Sequence, residues 1–375
     1  MPQSSHPDLL YQIALTMAPN IGPLTARKLI DRAGSAREVF RMNSSSLEKI
    51  ERIGPGLARS IKKSGLLERA ALEMEFLERH HISALYFEDT AYPARLKECA
   101  DAPILLYCRG KAGLHTHRAI SVVGTRKASS YGKELCRRIV LDLCSRIEDL
   151  VIISGLAFGI DVIAHRAALE AGIPTIAVLG HGLNTLYPFA HRETAKKICG
   201  QGALLTDFHS GMGPERNNFL RRNRIIAGMA DATLVVESAA SGGALITAAM
   251  AASYQRDVLA VPGRVTDDRS KGCNRLIKDN VAAMVESAQD LIRHLNWNDD
   301  SAVASIRGID HTPSTRQEKL LMDLLARHSG LRPEELSSLS GIPIHLVLAM
   351  LTEMEIKQWI FVEPGNLYQT MIELP

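Results

Sequence analysis

Between residues 84 and 262 the chain repeats one pattern: a short run of Val, Ile and Leu, a stretch of helical periodicity, then another such run. The runs are ALYF (84–87), ILLYC (104–108), AISVVG (119–124), LVIISG (150–155), TIAVLG (175–180), ATLVVE (232–237) and VLAVP (258–262). Helical patterns lie between most of them, at Tyr131–Arg146, Ile160–Ala171 and Ala244–Tyr254. A strand that is apolar at nearly every position is buried on both faces. Strands of this kind alternating with helices predict an α/β fold, a mostly parallel sheet covered on both sides by helices.

The flanks read differently. Residues 1–80 are short amphipathic helices broken by Gly-Pro turns, a small all-α domain. The α/β core then runs over 81–297. The segment around 296–315 is rich in Asn, Asp and Ser without sustained periodicity, and 298–312 reads as a linker. Residues 313–375 hold three helical patterns, Thr315–His328, Pro333–Leu339 and Ile344–Gln358, followed by the hairpin FVEPGNLYQT. A length of 375 residues suits two or three domains. The 46% hydrophobic and 23% charged fractions exclude a wholly disordered chain.

The longest apolar stretch, Gly243–Ala252, is far too short to span a bilayer, so no membrane partner is expected. The opening MPQSSHPDLL shows no secretory signal. The six cysteines include no C-x-x-C pair, which argues against a disulfide framework or a zinc site. The simplest reading is a reduced cytoplasmic protein without metal or cofactor.

Two segments resemble each other: Ile21-Gly22-Pro23-Leu24 and Ile53-Gly54-Pro55-Gly56, each leading into a helix with early Arg or Lys. This describes a helix-hairpin-helix, whose turn amides can meet a phosphate. Gly54, Gly56, Arg59 and Lys62 are secondary DNA candidates; an ordinary packing unit with Gly caps is the other reading.

In the core, Ser121-Val122-Val123 ends in Gly124-Thr125-Arg126-Lys127 and a helix begins near Ser130. A helix N-terminus offers unpaired N–H groups and positive dipole, and Arg126 can fork onto an anion's oxygens. There is neither G-x-G-x-x-G nor G-x-x-x-x-G-K-[ST], so a dinucleotide cofactor and a Walker-type ATPase are unsupported. Ser154, Gly155 and Ala157 close the next strand with small residues that allow ligand approach. Asp161 reads as an N-terminal cap or dipole partner, and His165 as a core or hydrogen-bonded residue. Phe219-Leu220-Arg221-Arg222-Asn223-Arg224 places cations beside an aromatic, which suits single-stranded nucleic acid: Phe219 stacks a base, or packs in the core. Three arginines in four positions cannot share one helix face, so one or two serve structure. Ser241-Gly242-Gly243 before a helix is another N–H-rich cradle. Several such loops at strand ends make one crevice.

The ordered motifs VVGTRKASSYGKEL, SGLAFGIDVIAHRAAL, TIAVLGHGLNTLYP, NNFLRRNRIIAG, SGGALITA, VPGR and GCNRLI resemble the DNA-processing protein A family, DprA or Smf. The resemblance implies a Rossmann-like core that binds single-stranded DNA, usually as a homodimer. It also implies help in loading the RecA recombinase during natural transformation. The family's Gly-[Ser/Thr]-Arg motif falls on Gly124, Thr125 and Arg126; its Phe-x-x-Arg-Asn-Arg motif falls on Phe219, Arg222, Asn223 and Arg224. The flanking domains resemble extensions found in some members, the C-terminal one a winged helix. Its would-be recognition helix, from Ile344, carries Glu353 and Glu355 and no Arg or Lys up to Glu355. Duplex reading by that helix is therefore not expected, and protein contact or regulation is.

Two rivals share the fold. A phosphoribohydrolase-like enzyme needs a carboxylate in the loop at 241–247 and its helix, where this chain has Ala249 or Met250. No other catalytic constellation stands out, so binding without turnover is expected. A nucleotide-binding sensor would use the same loops.

Overall fold

The computed structural model describes residues 8–111, 114, 116–297, 315–328, 330–356, 359–363 and 366–370. Two compact units divide the chain, Met1–Asp300 and Ser301–Pro375. The linker expected over 298–312 lies outside the described residues, as do Pro364 and Gly365 of the C-terminal turn.

The first unit is built on a nine-stranded sheet. Its strands are β1 (Ser83–Tyr86), β2 (Leu105–Gly110), β3 (Arg118–Val123), β4 (Leu150–Ser154), β5 (Thr175–Val178), β6 (Ala203–Thr206), β7 (Ala232–Val235), β8 (Asp257–Ala260) and β9 (Ala283–Met284). Their order is β1-β2-β6-β5-β4-β3-β7-β8-β9. Only β2 opposes its neighbours; every other pair is parallel. The α/β expectation is met, and each predicted run is a strand. Two strands were not predicted. β6 is the four-residue ALLT, separated by Gly202 alone from a preceding helix, and a run that short has no readable period. β9 contributes only two residues.

Among the described residues, six helices precede the sheet: α1 (Leu9–Met17), α2 (Pro23–Ala33), α3 (Ala36–Arg41), α4 (Ser44–Glu48), α5 (Pro55–Ile61) and α6 (Leu66–Arg79). The remaining helices of this unit are α7 (Ala94–Lys97), α8 (Ser130–Arg146), α9 (Ile160–Glu170), α10 (Arg192–Gln201), α11 (Arg216–Gly228), α12 (Gly243–Ser253), α13 (Lys271–Lys278) and α14 (Ala288–His294).

Strand side chains alternate between two apolar layers. Ala119, Val123, Val151, Ile153, Val235 and Val258 face α11, α12 and α13. Ile120, Val122, Leu150, Ile152, Leu234 and Leu259 face α8, α9 and α14. Double-sided burial is the cause of the near-continuous apolar runs.

Both Ile-Gly-Pro repeats start helices, with Gly22 or Gly54 at the N-cap and Pro23 or Pro55 in the first turn. Proline suits that position because its fixed φ is helical and its missing N–H would be unpaired anyway. The six helices share one apolar cluster with Ile82, just ahead of β1, and with Tyr86, Leu105 and Tyr107 of the sheet. Buried Glu73 of α6 also accepts from Ser210 N (2.8 Å) and Ser210 Oγ. Residues 8–79 thus pack as part of the first unit.

The second unit contains α15 (Arg316–Arg327), α16 (Pro333–Ser340), α17 (Ile344–Ile356) and the hairpin β10 (Ile360–Glu363) with β11 (Leu367–Thr370). Its core includes Leu321, Leu325, Leu336, Val347, Leu351 and Trp359. The helix α17 exposes Ile344, Leu346 and Leu348, an apolar rather than cationic face. Among the described residues no single helix is long and apolar enough to cross a membrane.

Candidate nucleic-acid interface

The sheet order reverses around β3. The chain leaves β3 through α8 towards β4 and β5, and later returns through α11 to β7 on the other side. Ligands of open α/β sheets bind outside the carboxyl ends of strands at such a reversal. The loops after β3, β4, β5 and β7 emerge there.

The β3 loop is locked rather than open. Thr125 N donates to Glu237 O (2.7 Å), and Ile160 N donates to Thr125 O (3.4 Å). A Cβ on Gly124 would lie 2.4 Å from Ile160 Cγ1, and one on Gly159 (φ +79°) 2.1 Å from Thr125 O. These two glycines let the β3 and β4 loops touch. Arg126 and Lys127, at the tip, are exposed.

The α8 N-terminus corrects an expectation. Ser129 caps it, accepting from Gly132 N (2.9 Å). The Glu237 carboxylate then accepts from Ser129 N (2.8 Å) and Ser129 Oγ (2.6 Å). A Cβ on Gly132 would fall 2.6 Å from Glu237 Oε2. The negative charge this dipole favours is therefore the protein's own buried carboxylate, not a bound phosphate.

The β4 loop is likewise internal. Ser154 is buried and its Oγ donates to Val122 O (2.6 Å), a strand-to-strand tie rather than a ligand contact. Gly155 makes room for Arg222, since a Cβ there would lie 2.2 Å from the guanidinium Nη1. Asp161 is not the N-cap, which is Gly159; it sits in the first turn of α9, where its charge suits the helix dipole, and accepts from Ala157 N (3.4 Å) and from the Gly155 backbone. Burial raises its carboxyl pKa, and Arg222 and these amides oppose the rise. Gly155→Ala should displace the Arg222 guanidinium and destabilise the protein by about 1–3 kcal/mol, read by thermal melting. An unchanged melt would show that the guanidinium has somewhere else to go.

The helix α11 sorts its arginines by face. Arg221 is exposed, its guanidinium 5.2 Å from the Phe208 ring centre. Arg222 is 3% exposed and donates through Nη1 to Val178 O. Burial pulls its pKa down to about 10, with Asp161 opposing. Arg224 is 6% exposed, paired with Asp207 and donating to Asp101 O. The structure thus places Arg222 and Arg224 in the core with protein partners, where the sequence led to the expectation of phosphate contacts. Asn223 is buried too; its Nδ2 donates to Gly243 O (3.3 Å) and fixes the β7 loop.

Phe219 is half-buried at the crevice mouth. Its ring lies 5.6 Å from the Arg126 guanidinium and 5.6 Å from the Tyr187 ring, over Gly180. Ser241, Gly242 and Gly243 are exposed, and a Cβ on either glycine would meet nothing nearer than 3.9 Å. That loop stays open ahead of α12.

In the hairpin helices, Gly54, Gly56 and Arg59 lie at the surface, with Arg59 Nε donating to Pro55 O (3.3 Å). Lys62 donates to Phe40 O, and partial burial lowers its pKa. The sequence reading passed over Glu237, which is legible only as an acidic residue ending a strand. It also passed over Phe158, Tyr187 and Phe189, which are hidden among apolar motif residues.

A sequence model of the DNA recombination-mediator protein A family matches residues 83–296, more than half of the chain. The chain belongs to this family. A relative from Mycobacterium tuberculosis is 36% identical over 253 residues, 64% of this chain and 64% of its own length. The match thus spans under two thirds of that relative. The structure of DNA processing protein A from Streptococcus pneumoniae superposes with a TM-score of 0.64 at 31% identity, covering 76% of this chain and 97% of that one. The Helicobacter pylori family member, described for its single-stranded DNA binding mode, gives a TM-score of 0.52 at 27% identity over 57% and 95%.

Proposed function

We propose that the protein binds single-stranded DNA across the carboxyl ends of β3, β4, β5 and β7, without turnover. Through that activity it protects incoming strands and helps load RecA, acting as a cytoplasmic homodimer in natural transformation. The family membership supports these roles.

One arrangement carries the reading of the site. Arg126 is exposed and stacked on Phe219 at the mouth, while Glu237 fills the helix terminus behind it. A cation beside an aromatic face suits one phosphate and one base of a flexible strand. A mononucleotide, in contrast, finds the customary phosphate seat taken by a carboxylate. The crevice carboxylates Glu237 and Asp161 both hold backbone or side-chain donors, which leaves the hydrolase reading without a free acid there. Lys127 and the open Ser241–Gly243 loop after β7 serve as further phosphate contacts, with Thr125 and Gly124 supporting Arg126.

Fluorescence anisotropy of labelled poly-dT over a salt series tests the proposal. Arg126→Ala should cost about 1.5–3 kcal/mol and lower the salt slope by about 0.7 per phosphate lost. Phe219→Ala should cost about 1–3 kcal/mol with the slope unchanged. Tight binding that prefers the single strand and ignores mononucleotides supports the reading. Preference for a mononucleotide, or an unchanged slope in Arg126→Ala, overturns it.

A further inference from the structure

Three aromatic rings at this end of the sheet are exposed where the fold gains nothing from exposing them: Phe158 (45%), Tyr187 (44%) and Phe189 (70%). Soluble proteins bury most such area, so a cluster of open rings calls for a partner. Each ring is held rather than loose. Phe158 rides a loop in which Leu156 has φ +54° and Gly159 φ +79°. Leu156 O hydrogen bonds to His191 Nδ1 (2.8 Å), and the Phe158 ring packs edge-on against His191 at 4.8 Å. The left-handed leucine is backbone strain held beside the crevice, and such strain gathers at functional loops.

The rings are continuous with the proposed site. Gly159 touches the Arg126 backbone, Arg126 covers Phe219, and Phe219 meets Tyr187. From Tyr187 the chain runs directly to Phe189, over which Arg192 places its guanidinium at 5.9 Å, and to His191 beside Phe158. The rim is thus aromatic with a cation near each end, Arg126 and Arg192.

The geometry points to a second stacking platform: Phe158 and Phe189 take bases of the same single-stranded DNA further along the strand, with Arg192 on its phosphates. This rests on the single-strand reading above. It adds a length requirement, because an oligonucleotide filling only the Arg126–Phe219 contact does not reach these rings. A double-stranded ligand does not fit it, because its base faces are already stacked.

The test uses the full chain and a series of dT oligonucleotides. Phe158→Ala and Phe189→Ala should each weaken binding of long oligonucleotides about tenfold. The salt slope should not change, and the shortest oligonucleotide that still binds should lose little. Arg192→Ala should lower both affinity and slope. Phe158→Trp keeps the platform and should show fluorescence quenched by long dT beyond the wild-type background. Phe189 is the more exposed of the two, and circular dichroism with thermal melting checks that both variants stay folded. If the wild type binds dT and Arg126→Ala weakens it while the phenylalanine variants match wild type at every length, the platform is refuted and the central site stands. If the wild type binds no single strand, both fall.

Discussion

Arg224→Ala should destabilise the first unit by about 3–5 kcal/mol, because it removes one partner of a buried ion pair. Arg224 and Asp207 have side-chain exposures of 7% and 5%. Asp207 Oδ1 has no hydrogen-bond partner, so the carboxylate already depends on Arg224. The guanidinium also donates to Asp101 O, and Asp101 Oδ1 accepts from Tyr254 OH (2.7 Å). One deletion therefore strands a carboxylate and a carbonyl together. Replacing both charges, with Arg224→Met and Asp207→Leu, should recover most of the loss, since a buried pair is weakly stabilising against apolar groups of similar size. Urea unfolding of the single and double variants measures this. The result separates folding from recognition: the double variant, once folded, should bind poly-dT with the wild-type salt slope. A stable Arg224→Ala with a reduced slope would return Arg224 to the phosphate path.

That prediction shows where the sequence was readable and where it was not. Apolar runs at 119–124, 150–155 and 232–237 are visible because burial on both sheet faces leaves no polar alternation. The loops after them are visible as Gly, Ser and Thr clusters. What those glycines accommodate is not written locally. Gly155 reads as space for a ligand, yet a residue 67 positions later, Arg222, fills it. The Gly124-Thr125-Arg126 loop reads as an anion site, yet Ile160 fills the space beside Gly124. The helix α8 start reads as an open anion seat, yet Glu237 sits in it. Each difference has one cause: a strand end is contacted by elements far away in sequence, and periodicity carries no information about them. Helix geometry did permit one correct deduction, that the arginines of 221–224 could not share a face. It could not say that the exposed one was Arg221. The exposed phenylalanines were missed for the opposite reason, since an apolar residue inside an apolar motif looks like core.

Acid should weaken the fold through His165, and the direction follows from its hydrogen bonds. Thr175 has a single hydroxyl proton, which it donates to Ile152 O (2.7 Å). The contact between Thr175 Oγ1 and His165 Nδ1 (2.7 Å) therefore needs the proton on Nδ1. Nε2 is left as a buried lone pair with no partner. Protonating it would place a charge in a site closed to water, near Arg222 and His191. Burial first, then those two groups, push its pKa down to about 3. In the unfolded chain the ring titrates near 6.5. A folded pKa below the unfolded one means that the stability is fully present above about 6.5 and is lost as pH falls towards 3. The loss reaches about 1.4 kcal/mol per pH unit for one proton. His181, also depressed by burial, adds in the same direction, whereas the raised carboxyl of Asp161 opposes it, because acid relieves the cost of its buried charge. Unfolding midpoints measured from pH 7 to pH 4 should fall steeply in the wild type and less steeply in His165→Leu. Parallel profiles would remove His165 from the acid response. The steeper fall also has a consequence for binding: Arg222, the neighbour that a protonated His165 would repel, supports the Gly155 loop. Affinity for poly-dT should therefore fail at low pH together with the fold, and not before it.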